Sequence, residues 1–113
     1  MKELIKDVEQ WVVSVGIKDK ATTFIQWQKM QEEVEELFVE LEKCDNESCD
    51  TDKAEMELGD VVVTCIAMSM LIDTDIESVL KMAYDKISKR TGKMINGTFY
   101  KSEDIDKDGK PKR

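Results

Sequence analysis

Apolar positions recur at helical spacing through most of this chain. Leu4, Ile5, Val8, Trp11, Val12 and Val15 mark a first helix from Lys2 to Val15. Gly16 is its expected stop, because glycine accepts the left-handed turn that follows a C-cap. Ile17 to Thr22 reads as a short connection. Trp27, Met30, Val34, Leu37, Phe38 and Leu41 give the apolar face of a second helix, opened by a capping box at Thr23 and Gln26 and ending near Lys43. A polar loop from Cys44 to Thr51 follows. A third helix is expected from about Asp52 to Ile72, and its distal half, VVVTCIAMSMLI, is apolar nearly all round, the pattern of a centrally buried helix. Thr74 with Glu77 forms another capping box, opening a fourth helix whose face is Ile76, Val79, Leu80, Ala83 and Ile87.

No segment alternates with period two for long enough to predict a sheet. Short loops between long amphipathic helices imply antiparallel neighbours. The expected fold is all-α and four-helix bundle-like, a single domain over residues 1–101. The stretch after Thr91 is broken up by Gly92, Asn96-Gly97, Gly109 and Pro111, and residues 102–113 read as a charged flexible tail.

Composition narrows the function classes. With 113 residues, 41% hydrophobic and 37% charged, the chain builds one core under a heavily charged surface. A net charge of −8 argues against nucleic-acid or anionic-membrane partners. The apolar run from Val61 to Ile72 is too short to span a bilayer, and no basic-then-apolar leader opens the sequence, so a cytoplasmic location is expected. Histidine is absent, which removes imidazole ligands and the commonest general base, and with them the Glu-x-x-His di-iron pattern. The three cysteines, an odd count, fit a reducing compartment. Cys65 is read as core, and Cys44 and Cys49 as ordinary thiols whose spacing matches no zinc signature.

The candidate chemistry lies between Gln26 and Thr64. Glu33 and Glu36 form one i,i+3 carboxylate pair, and Glu57 and Asp60 a second. On the helical wheel Glu33 and Glu36 share a flank with Gln26, Lys29 and Glu40, beside the apolar face. A Glu-rich helix is ordinarily a solvated face, and residues 32–36 alone support nothing more. Glu57 and Asp60 differ, because they stand at the mouth of an apolar helix, where carboxylates are costly unless paired or metal-bound. Two pairs on adjacent antiparallel helices make a four-carboxylate site suited to a hard divalent cation. Lys86 and Arg90, i,i+4 on the fourth helix with Lys93 and Lys101 beyond, suit a polyphosphate, although basic residues also favour helix C-termini. Trp11 and Trp27 are read as core ahead of base-stacking platforms. Asp104, Asp106, Asp108 and Gly109 copy half of an EF-hand loop, but the glutamate needed at the twelfth position is missing, so no calcium site is expected there.

KMQEEVEEL at 29–37, preceded by Gln26, and EMELGDVVV at 55–63 together resemble the MazG-like nucleotide pyrophosphohydrolases. The stretch 86–101, KISKRTGKMINGTFYK, is similar to small single-domain members found in bacteria and their phages. The resemblance implies an all-α, oligomeric enzyme, a dimer or tetramer, that uses Mg²⁺, with Mn²⁺ as a substitute, to cleave nucleoside triphosphates to monophosphate and pyrophosphate. It implies Glu33, Glu36, Glu57 and Asp60 as metal ligands, and Glu33 or Glu36 as the group that activates water. Gln26, Lys29, Lys86, Arg90, Asn96 and Lys101 would bind substrate. Many relatives carry an Asn beside the helix-four Lys, where this chain has Tyr84 and Asp85. Gly59 would allow a close approach of helix or substrate. Two readings stand beside this one: a nucleotide-binding regulatory module without turnover, and a purely structural helical oligomer.

Overall fold

The computed structural model describes residues 1–45 and 50–112. Five helices occur among them: α1 (Lys2–Ser14), α2 (Ile17–Lys20), α3 (Thr23–Asp45), α4 (Thr51–Leu71) and α5 (Ile76–Ile87). Two strands, β1 (Gly92–Ile95) and β2 (Thr98–Lys101), and a 3₁₀ turn at Ser102–Asp104 complete the described elements. The chain folds as two compact units, Met1–Val79 and Leu80–Arg113.

In the first unit α1 ends as the sequence predicts. Val15 is the C-cap and Gly16 follows with φ +90°, the left-handed conformation a side chain would resist. The stretch after Gly16 is not plain connection: Ile17–Lys20 forms one helical turn, α2. The caps of α3 and α5 lie one residue from their expected places. Thr22 Oγ1, not Thr23, accepts from the Ile25 amide at 3.1 Å. Asp75, not Thr74, caps α5, its carboxylate accepting from Ser78 N at 2.8 Å and Ser78 Oγ at 3.0 Å. Asp50 caps α4 by accepting from Lys53 N. At the other end of α4, Lys18 Nζ donates to the Met70 carbonyl at 2.6 Å and pairs with Asp73 at 3.0 Å. A lysine there satisfies a terminal carbonyl and favours the negative end of the helix dipole.

Packing centres on α4, against which α3, α1 and α2 all lie. Val12, Ile66 and Ala67 form the fully buried apolar core. Thr64 and Ser69 are buried with them, each hydroxyl donating to the carbonyl three residues back. That local bond removes the desolvation cost of an unpaired hydroxyl. No neighbouring helix approaches Gly59 closely: a Cβ there would meet no protein atom within 4 Å. Cys44, expected as an ordinary thiol, is disulfide-bonded, since a spacing that excludes zinc does not exclude a disulfide. Cys49 lies outside the described residues, and Cys65 is free and half-buried.

The second unit contains a hairpin that the sequence pattern did not predict. β1 and β2 pair antiparallel, Gly92 opposite Lys101 and Ile95 opposite Thr98. Asn96 and Gly97 turn between them with φ +51° and +82°. Positive φ at both central positions is the primed turn that matches strand twist, and Asn-Gly is its preferred sequence. Beyond the hairpin, Ser102 N donates to the Thr91 carbonyl at 2.8 Å, and Ile105 bridges to Pro111. Within that last loop Asp106 Oδ1 accepts from the Asp108 and Lys110 amides, each at 2.9 Å.

Candidate functional site

The orientation of α3 decides the site. Gln26, Glu33 and Glu40 are its buried residues. They lie seven residues apart, and at 3.6 residues per turn such positions form a single stripe along a helix. Gln26 Nε2 donates to the Thr64 carbonyl of α4 at 3.2 Å, in a buried position. Helical neighbours one heptad along, Glu33 on α3 and Glu57 on α4, also meet, so the two helices run antiparallel.

This corrects the face assignment made from apolar spacing. Met30 and Leu37 are half-buried, but Trp27, Val34, Phe38 and Leu41 stand about half exposed. The polar stripe, which the wheel placed on a flank, faces α4 instead. Trp11 and Trp27, read as core, are each 50% exposed. Glu40 was not singled out as a buried residue. The signal for it is the heptad spacing of Gln26, Glu33 and Glu40, visible in the sequence.

Glu33, Glu36 and Glu57 bring one carboxylate oxygen each to within 4.8 Å of one another. Glu33 is buried, Glu57 half-buried and Glu36 exposed. Lys29 Nζ lies 3.1 Å from Glu33 Oε1 and 4.0 Å from Glu32 Oε2. Glu33 Oε2 and Glu57 Oε2 are buried and have no hydrogen-bond partner. Glu40 Oε1 is likewise unpartnered, while its other oxygen takes Lys43 Nζ at 2.9 Å. Electrostatics follow from the crowding. The negative charge of Glu33, then desolvation, then Glu57, raise the Glu36 carboxyl above its ordinary value. The Lys29 ammonium is raised chiefly by its bond to Glu33, with the charges of Glu32, Glu33 and Glu36 adding to it against an opposing desolvation.

Asp60 is half-buried and stands outside that trio. It lines a cavity of about 220 Å³ together with Trp11, Gln26, Lys29, Glu33 and Thr64. A neighbouring hollow of about 370 Å³ shares Asp60 and Trp11 and adds Asp7 and Val8 from α1. Glu33 and Asp60 therefore open onto a recess walled in part by α1. Lys86, Arg90, Asn96 and Lys101 belong to the second unit. There Lys86 lies in the last turn of α5 and Asn96 in the hairpin turn. Arg90 and Lys101 line a cavity of about 290 Å³ with Thr91, Ser102 and Glu103. Lys101 Nζ is held 3.1 Å from Glu103 and 3.9 Å from Asp104.

Three carboxylates around one point, two with a buried oxygen that no protein donor satisfies, fit a divalent cation with oxygen preference. Fold and site together define a mostly helical protein with an acidic centre able to hold such an ion. The family model of the MazG nucleotide pyrophosphohydrolase domain matches residues 22–95, and the chain belongs to that family. The match covers α3, α4, α5 and β1. No curated protein and no solved structure matches the chain. Among the described residues, no helix is long and apolar enough to cross a membrane.

Proposed function

We propose that this protein is a Mg²⁺-dependent nucleoside triphosphate pyrophosphohydrolase of the cytoplasm, converting an NTP or dNTP to the monophosphate and pyrophosphate. The observation that carries the reading is the Glu33–Glu36–Glu57 trio, with its two unsatisfied buried oxygens, in a MazG-family chain. Glu33, Glu36 and Glu57 would hold Mg²⁺ (or Mn²⁺), with Asp60 as a fourth ligand. When bound, the ion neutralises phosphate charge and renders the α-phosphorus more electrophilic.

The chain's own groups supply the rest. A water oxygen attacks the α-phosphorus, the bond from that phosphorus to the α,β-bridging oxygen breaks, and pyrophosphate leaves. Glu36 or Glu33 takes the water proton. Glu36 suits this role because crowding raises its proton affinity, and the chain has no histidine to serve instead. Gln26 and Lys29 lie at the recess and are assigned to substrate. Lys86, Arg90, Asn96 and Lys101 are assigned to the phosphates on the family resemblance. We take residues 1–101 as the working domain and 102–113 as an appendage.

A homo-oligomer, dimer or tetramer, belongs to the same reading. Trp27, Val34, Phe38 and Leu41 on α3 are exposed, as are Leu58 and Val62 on α4. At roughly 100° per residue these fall on the side of the helix pair opposite Lys29 and Glu36. An apolar face of this kind is what a second copy would cover.

Pyrophosphate release from a panel of canonical, deoxy and modified triphosphates, with and without Mg²⁺, tests the proposal. Turnover lost in chelator and in Glu57→Gln is expected. Mg²⁺-dependent nucleotide binding with no turnover would establish a regulatory module, and no binding a structural oligomer.

A further inference from the structure

Lys29 is the one cation among the described residues paired with the carboxylate trio, and it holds one oxygen of Glu33, a carboxylate that a metal ion would also need. Its ammonium lies 3.1 Å from Glu33 Oε1, while its side chain is 51% exposed and lines the recess beside Asp60. An i,i+4 lysine on a four-carbon stem swings by rotamer changes without disturbing α3. One ammonium, paired with Glu33 alone of the three carboxylates, leaves Glu33 Oε2 and Glu57 Oε2 unsatisfied, so Lys29 only part-neutralises the centre.

We propose that Lys29 is a tethered counter-ion that a divalent metal displaces from Glu33, and that the freed ammonium then turns into the recess to meet the substrate phosphates. This rests on the functional reading above. It adds that metal loading itself arms the phosphate contact: without metal Lys29 stabilises the empty centre, and with metal it is released to the substrate. A lysine that merely braced Glu33 would stay in place when the ion arrived.

Two measurements on the nucleotide-free protein separate these cases. The first is Mn²⁺ affinity by titration with paramagnetic detection of the free ion, for wild type, Lys29→Met and Lys29→Arg. Removing a competing positive charge about 5 Å from a divalent ion should tighten Mn²⁺ binding about tenfold in Lys29→Met. Lys29→Arg should stay near wild type. The second is acetylation of Lys29 by a water-soluble reagent, followed by mass spectrometry. Mg²⁺ should raise Lys29 labelling several-fold relative to Lys18, which binds Met70 and Asp73 away from the centre. Unchanged labelling with saturating Mg²⁺, or equal or weaker Mn²⁺ binding by Lys29→Met, would overturn the exchange while leaving the metal site standing. Wild-type protein that takes up no Mn²⁺ at millimolar concentration overturns the metal site and the exchange together.

Discussion

Glu33 and Glu57 face one another across the α3–α4 seam, one heptad along each helix from the hydrogen bond between Gln26 and Thr64. The neutral amide contact sets the register, and the register brings the two acids together. Like charges so placed cost stability, and the protein offsets only part of that cost with Lys29. A centre that is unfavourable when empty is one that a cation stabilises on binding.

Loss of a carboxylate should therefore separate stability from activity. Glu57→Gln and Asp60→Asn are each expected to reduce Mg²⁺-dependent turnover about a thousandfold or more, the cost of several kcal/mol in transition-state stabilisation. In metal-free buffer both variants should melt at or above the wild-type temperature, and both should gain less from Mg²⁺. Calorimetry with and without chelator checks this. If Asp60→Asn melted lower without metal and gained as much from Mg²⁺ as wild type, Asp60 would be a structural residue.

The pH dependence has a definite sign. Glu36 is raised above its ordinary value of 4.5, mainly by the charge on Glu33. Its stabilising contribution is thus complete below the unfolded value and disappears as pH rises through the folded one. Glu36→Gln carries no charge to lose. In metal-free buffer its melting temperature should overtake wild type as pH climbs from about 4.5 through the raised value of Glu36, with the gap then constant. Mg²⁺ should close the gap. A difference independent of pH would show that Glu36 does not feel Glu33.

The exposed apolar flank carries its own test. Phe38→Glu places a charge on that flank, away from the carboxylate recess. Sedimentation should show the wild type as a dimer or tetramer at micromolar concentration and Phe38→Glu shifted to monomer. A wild type that sediments as monomer rules out this face as an interface under those conditions.

The hairpin depends on two glycines for different reasons. Gly97 has φ +82°, so Gly97→Ala should destabilise the turn by about 1 kcal/mol. At Gly92 a Cβ would overlap the Tyr100 carbonyl oxygen and crowd the Phe99 ring. Gly92→Ala should then lose the β1–β2 pairing, visible as lost amide protection at Lys93 and Tyr100, a hydrogen-bonded pair, in hydrogen exchange. Intact protection in Gly92→Ala would show that the strands shift to make room.

Helical periodicity made α1, α3, α4 and α5 legible, and carboxylate spacing singled out Glu33, Glu36 and Glu57. What periodicity did not convey was which face of α3 meets α4. It reports where apolar residues cluster, and in this chain the Trp27–Leu41 cluster lies beside the seam rather than in it. Gln26, Glu33 and Glu40 were legible as a heptad only to a reader willing to bury polar residues. The hairpin is not legible because four-residue strands are too short for alternation to register, and Asn96-Gly97 reads equally as a break and as a turn. Caps slipped by one residue because Thr22 and Thr23, like Thr74 and Asp75, offer near-equivalent oxygens.

Because hydrogen-bonded register, not side-chain volume, aligns Glu33 with Glu57, the centre is sensitive to residue count within the helices. One amino acid inserted between Gln26 and Glu33 would rotate Glu33 by about 100° out of the seam. Such an insertion would disarm the protein while leaving its composition and helix content almost untouched. Length variation should therefore be excluded from residues 26–33 and 57–64, a constraint that a library of single-residue insertions would map directly.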